Sequence, residues 1–388
     1  MDTIDYNEKR KELNELCKNG RLFDIQGWIK RGLPINPRQP AKGNRRKAPL
    51  EIAIEKGFHS LVQILLEGGA IIADERYNAL QHAVSKKRLD IVELLVSHGA
   101  DIKSVEMYNV FDTWDPNIME YFIAHGADLE TGYPMADALS MKVRTALGVF
   151  KRHKDRFPTF QEQANIALRY HCKNGDLKWA SLMLWLGANP YARGQDLDET
   201  EVDPEDEGLC ALEYAALYGH FEIFKLKQIK LDPSHPLTGD IVDYACFSKT
   251  ADLLQLFIEK GFNPGGQEDK GTSLIQKCLC TLPFRTFDRY RQGPERNLDS
   301  YRSREKIKMI HLLAKHGAKW MPDDKGMIKD ARSALLKMKP DYTVEFIWIM
   351  AEYRAGVRDH IEELIRTPSI KGILFQHQAR IRELIDSF

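Results

Sequence analysis

Seven apolar stretches of this chain end on nearly the same few residues: Arg31-Gly32-Leu33, Gly69-Ala70, His98-Gly99-Ala100, His125-Gly126-Ala127, Leu186-Gly187-Ala188, Lys260-Gly261-Phe262 and His316-Gly317-Ala318. Each follows a run with helical spacing, such as Leu61-Val62-Gln63-Ile64-Leu65-Leu66 or Ile91-Val92-Glu93-Leu94-Leu95-Val96. Glycine just past a helical run ends it, because glycine enters the left-handed region without a Cβ penalty. Self-similarity at roughly thirty residues marks a helical solenoid, in which short units bury their apolar faces only against their neighbours. Such a chain is expected to bind rather than to catalyse.

Composition narrows the partners. The 388 residues carry 56 basic and 56 acidic side chains, so bulk charge selects neither nucleic acid nor a membrane surface. Hydrophobic residues make up 43% of the chain, enough for a continuous core. No uncharged apolar run is long enough to span a bilayer. The opening Met1-Asp2-Thr3-Ile4-Asp5 lacks the order of a secretion signal. Cys17, Cys172, Cys210, Cys246, Cys278 and Cys280 are scattered over apolar helical faces, as reduced thiols in the cytoplasm would be. A soluble cytoplasmic protein is expected.

Aligned on the closing glycine, the repeats fall into register. Ala48-Pro49-Leu50-Glu51-Ile52-Ala53 leads to Gly57, Leu61-Val62, Leu65-Leu66 and Gly69-Ala70. Asn78-Ala79-Leu80-Gln81-His82-Ala83 leads to Ile91-Val92, Leu94-Leu95 and Gly99-Ala100, and Cys210-Ala211-Leu212-Glu213-Tyr214-Ala215-Ala216 leads to Gly219-His220 and Ile223. This pattern resembles the ankyrin repeat family, whose consensus runs Thr-Pro-Leu-His-x-Ala-Ala, then Gly-His, Ile-Val, Leu-Leu and Gly-Ala. The resemblance implies an all-α solenoid with short hairpin fingers. Its physics is consistent: Pro49 at a first helical position gives up no hydrogen bond, small Ala53 and Ala83 let helices approach, and Gly57 and Gly219 permit tight turns. Helices of about two to three turns do not persist alone, so stacking must stabilise them.

Val105 to Asp128, Ile166 to Asn189 and Asp240 to Asn263 extend the frame, with degenerate pairs at 134–157 and 322–356. A capping pair is expected at 7–35, an array of about nine to ten helix pairs over 1–356, and a helical cap over 357–388.

Three departures bear on function. An insertion at about 190–208 carries the acidic stretch Asp196 to Glu207; as a finger it would steer a basic partner through residues such as Asp203, Glu205 and Asp206, or else be a solvated loop. A second insertion, at about 281–304, interleaves Arg285, Arg289 and Arg291 with Tyr290 and other aromatics. Arginine and aromatics together can hold phosphate and stack bases, but Asp288, Glu295 and Asp299 dilute the charge and argue for a protein-facing or packed loop. Finally, the repeat positions that face partners in ankyrin proteins hold Tyr170, Lys173, Asn174, then Tyr214, Leu217, Tyr218, then Tyr244 and Phe247. Tyrosines anchor interfaces well, although these rings could equally bury one another.

No catalytic signature emerges. The near-miss phosphate loop Gly266 to Thr272 lacks its lysine, Cys278-Leu279-Cys280 lacks zinc spacing, and His311 and His316 do not share a helical face. Trp179, Trp185, Trp320 and Trp348 read as core. The expectation is a non-catalytic module without metal or cofactor, binding a protein that bears a basic patch. An immunity protein that blocks a toxin or nuclease is the main alternative. A regulator touching nucleic acid through 284–308 is a further one.

Overall fold

The computed structural model describes residues 3–36, 47–194, 197, 207–247, 251–266, 273–279, 300–322, 325–366, 368–375 and 383. Among these the chain is mostly helical, with 21 α-helices. It forms two compact units, residues 1–167 and 168–388.

The N-terminal unit holds five antiparallel pairs: α1 (Thr3–Lys18) with α2 (Leu22–Lys30), α3 (Pro49–Lys56) with α4 (His59–Glu67), α5 (Ala79–Ser85) with α6 (Leu89–Ser97), α7 (Met107–Phe111) with α8 (Pro116–Ala124), and α9 (Pro134–Ser140) with α10 (Arg144–His153). The first helices stack in one row, α1 on α3 on α5 on α7 on α9, while α2, α4 and α6 stack in a second and α8 meets α10. Val62, Leu65, Ile91, Leu95, Ile118 and Phe122 fill the space between the rows and are buried.

The first row starts cleanly where a polar side chain or proline fits. Pro49 and Pro134 occupy first helical positions. Asn78 caps α5, its side-chain oxygen accepting from the amides of Leu80 at 2.9 Å and Gln81 at 3.2 Å. Just before it, Ala73–Asp74 and Tyr77–Asn78 pair antiparallel as a short finger.

The C-terminal unit begins within α11 (Phe160–Lys173) and continues with α12 (Leu177–Leu186), α13 (Ala211–Leu217), α14 (Thr238–Cys246), α15 (Asp252–Glu259), α16 (Leu274–Leu279), α17 (Ser300–Lys315), α18 (Lys325–Leu336), α19 (Pro340–Glu352), α20 (Arg358–Ile365) and α21 (Pro368–Leu374). Here α13, α14, α16, α18 and α20 stack in one row, and α15, α17, α19 and α21 in the other.

All seven closing glycines adopt left-handed backbone, with φ between +65° at Gly32 and +100° at Gly187. An eighth closure, at Arg354, takes the same step with φ +47°. There the Ala355 amide donates to the Met350 carbonyl at 2.9 Å, as Ala318 donates to Leu313 at 3.0 Å. Among the described residues the turn inside several pairs is also left-handed, at Gly57 and Gly219 but equally at Lys87, Trp114 and Lys142.

Two sequence expectations need correction. The residues after Gly219 form a 3₁₀ turn, Phe221–Lys225, in place of a second α-helix. The stretch Phe224-Lys225-Leu226-Lys227 alternates apolar and polar residues with period two, which no helix buries on one face. Trp179 and Trp320 are buried as expected, but Trp185 is 56% exposed and lies outside the core.

Candidate functional site

The residues predicted to meet a partner gather in the C-terminal unit on three helices. Tyr170 and Lys173 close α11, Tyr214 lies within α13 with Tyr218 at its C-cap, and Tyr244 and Phe247 close α14, which stacks on α13. Their environments differ. Tyr218 is 38% exposed, whereas Tyr170, Lys173, Tyr244 and Phe247 are half-buried. Tyr214 is 1% exposed and belongs to the core, so its assignment as a contact residue is corrected. The repeat register gives the side of the helix on which Tyr214 sits, but not its near-complete removal from solvent. The Lys173 ammonium stands 5.8 Å from the Tyr214 ring centroid, a cation–π distance.

His220 ties this group together. Its Nε2–H donates to the Lys173 carbonyl at 2.9 Å, an acceptor freed where α11 ends. Its ring lies nearly parallel to that of Tyr218, at 11° with centroids 6.4 Å apart. The Asn174 amide donates to the Tyr170 carbonyl at 2.8 Å and closes the same helix end. Tyr218 is therefore held by a histidine that is itself fixed to backbone.

The same unit also holds a polar centre that the sequence did not reveal. Arg193 donates to Glu213 at 2.6 Å and to Asp240 at 2.8 Å, and reaches Glu207 at 3.5 Å. Glu213 also accepts from the Cys210 amide at 2.7 Å while Cys210 Sγ accepts from the Glu213 amide, a reciprocal helix cap. Two repeats later in the row, on α16, Gln276 works similarly: it accepts from the Trp320 indole at 2.6 Å and donates to the Met327 carbonyl at 2.9 Å.

Glu207, at the end of the acidic stretch, is thus engaged with Arg193. Asp203, Glu205 and Asp206 lie outside the described residues, as do Arg285, Arg289, Tyr290 and Arg291 of the second insertion and most of the near-miss phosphate loop.

The N-terminal unit contains a cavity of about 330 Å³ lined by residues of α7, α9 and the turns that follow them, among them Tyr108, Phe111, Asp112, Trp114, Asp137 and Met141. A signal for it was present in the sequence: Trp114 stands at the register step held by Gly57 and Gly219 in other repeats. Among the described residues, no cluster of three or more His, Cys, Asp or Glu could hold a metal ion. No described helix is long and apolar enough to cross a membrane.

Stacked short pairs with left-handed closures and a hairpin finger are the parts of an ankyrin repeat array. A family model of ankyrin repeats, in three copies, matches residues 13–106, so this stretch consists of ankyrin repeats. The chain is 31% identical over 104 residues to BRCA1-associated RING domain protein 1 of Caenorhabditis elegans. That alignment takes in 25% of this chain and only 14% of the relative. Among solved structures, the human ASB11 ankyrin repeat domain is similar at 18% identity, covering 52% of this chain and 90% of its own, with a TM-score of 0.39. The ankyrin repeat domain of Bcl-3, a member of the IkappaB family, is similar at 16% identity, covering 46% and 86%, with a TM-score of 0.37. Ankyrin repeats are generally protein–protein interaction modules, and their fold is typically non-catalytic.

Proposed function

We propose that this chain is a non-catalytic recognition module of the cytoplasm that binds a partner protein through the face formed by Tyr170, Lys173, Tyr218, Tyr244 and Phe247. The observation that carries the reading is the fixed aromatic platform of Tyr218 on His220, anchored to the end of α11. A ring already held in place loses little entropy on binding, which is why tyrosines anchor interfaces. The acidic run from Asp196 to Glu207, in the sequence just ahead of α13, supplies charge that would attract a partner bearing a basic patch. Buried free thiols at Cys17, Cys172, Cys210, Cys246 and Cys278 suit a reducing compartment.

The test compares capture from cell extract by the wild-type chain and by a Tyr218→Ala, Tyr244→Ala double variant. A protein retained by the wild type and lost by at least about tenfold in the double variant, with unchanged melting, is the expected result. Retention that is indifferent to both substitutions overturns the surface. Partner binding that collapses steeply with added salt would instead mark a nucleic-acid contact.

A further inference from the structure

The cavity in the N-terminal unit plays no part in the surface proposed above, and its lining is unfavourable for folding alone. Trp114 occupies a left-handed turn, φ +59°, where Gly57 and Gly219 stand in other repeats and Lys87 and Lys142 in the flanking ones, and it is 46% exposed. Its amide makes the same bond as theirs: Trp114 donates to the Phe111 carbonyl at 3.0 Å, as Gly57 donates to Ile54 at 3.0 Å and Gly219 to Ala216 at 3.1 Å. The backbone therefore keeps the glycine conformation with the largest side chain attached. What sets Trp114 apart from Lys87 and Lys142 at the same step is its large aromatic side chain, which lines the cavity. Tyr108 is 52% exposed and Met141 72% exposed at the same cavity, while Phe111 is buried at 1%.

The charges in the lining are of one sign. Asp112 and Asp137 both line the cavity, at the ends and middle of adjacent first-row helices, and no basic side chain does. Burial holds the Asp137 carboxyl above its usual range. A carboxylate removed from water among aromatic walls lacks the compensation that a cation would give.

We propose that this cavity binds an alkylated ammonium group, with the aromatic walls taking the methyl-covered cation and the carboxylates of Asp112 and Asp137 balancing its charge. An anion is excluded by the two carboxylates. A bare ammonium has three N–H donors to satisfy, and most of this lining is apolar. Methylation removes those donors and weakens hydration, leaving a cation that favours ring faces. The volume, about 330 Å³, is at the small end for ligand cavities and fits a head group better than a whole cofactor. The same head occurs on free quaternary ammonium compounds and on methylated lysine side chains of proteins. This inference does not depend on the partner surface of the C-terminal unit.

Calorimetric titration of the full chain with Nα-acetyl-Nε-trimethyllysine methylamide tests it, beside the neutral isostere in which carbon replaces the charged nitrogen. The charged compound is expected to bind at least about tenfold more tightly than the isostere. Asp137→Asn should weaken it by about the same factor. Trp114→Gly should abolish binding without lowering the melting temperature, because glycine suits that turn, so lost binding cannot be ascribed to unfolding. A peptide with a central trimethyllysine that binds about tenfold more tightly than the free head assigns the site to a protein side chain; equal affinity assigns it to a small molecule. The proposal is overturned if the isostere binds equally well, if Trp114→Gly leaves affinity unchanged, or if neither ligand binds at millimolar concentration.

Discussion

The Arg193 guanidinium meets the Glu213 carboxylate at 2.6 Å although the Glu213 side chain is wholly inaccessible to solvent. Arg193 comes from the connection after α12 and Glu213 from the first turn of α13, so one ion pair fastens a loop to the start of the next repeat. Asp240, 2.8 Å from the same guanidinium, extends the link toward α14.

Breaking that pair from one side strands a buried charge. Arg193→Ala is expected to destabilise the C-terminal unit by about 2–3 kcal/mol, read by chemical denaturation. Glu213→Gln in the Arg193→Ala background should recover part of the loss, because the neutral amide no longer needs a cation. No recovery would mean that Arg193 acts through packing alone.

The two tyrosines of α13 should separate cleanly. Tyr214→Ala empties a core site and should cost about 3–5 kcal/mol, whereas Tyr218→Ala should stay within about 0.5 kcal/mol. Equal costs in thermal melts would place Tyr218 in the core too.

Lys87 and Lys142 occupy left-handed turns, φ +56° and +64°. Replacing either by glycine should stabilise the N-terminal unit by about 0.5–1 kcal/mol as strain is relieved. Gly57→Ala should do the reverse, since its φ is +70° and the added methyl would lie 2.0 Å from the Arg88 guanidinium. Denaturation midpoints of the three variants decide the matter.

Burial pushes the Cys17 and Cys210 thiols up to about 12 and raises Cys172 further. The Cys246 thiol is raised chiefly by its hydrogen bond with Cys278, and then by burial. Because the thiolate is the reactive form, these residues should resist iodoacetamide at pH 8 in the native chain and label fully in denaturant. Peptide mapping that finds Cys17 or Cys210 modified under native conditions would contradict their burial.

Much of this architecture could be read from the residues, and the exceptions have physical causes. The closures at Gly32 through Gly317 were visible because only a residue free of Cβ strain enters that backbone region cheaply. The closure at Arg354 and the turns at Lys87, Trp114 and Lys142 were hidden, since residues with a Cβ stand there in the same left-handed conformation. Register placed Tyr214 within α13 and Tyr218 at its end, but register cannot say that Lys173 of α11 stands over the Tyr214 ring. The Arg193–Glu213–Asp240 centre joins residues far apart in sequence, and no local pattern announces it.

The 3₁₀ turn at Phe221–Lys225 leaves one repeat of the C-terminal unit without a full outer helix. In a linear array, cohesion is a sum of nearest-neighbour terms, so a thin link limits cooperativity wherever it falls. Phe224 bridges the gap by an edge-on contact with Phe257 of α15, ring centroids 5.6 Å apart. With its outer side reduced to that edge-on contact, this repeat relies on its inner side for cohesion, where α13 packs on α14 and Arg193 ties Glu213 to Asp240.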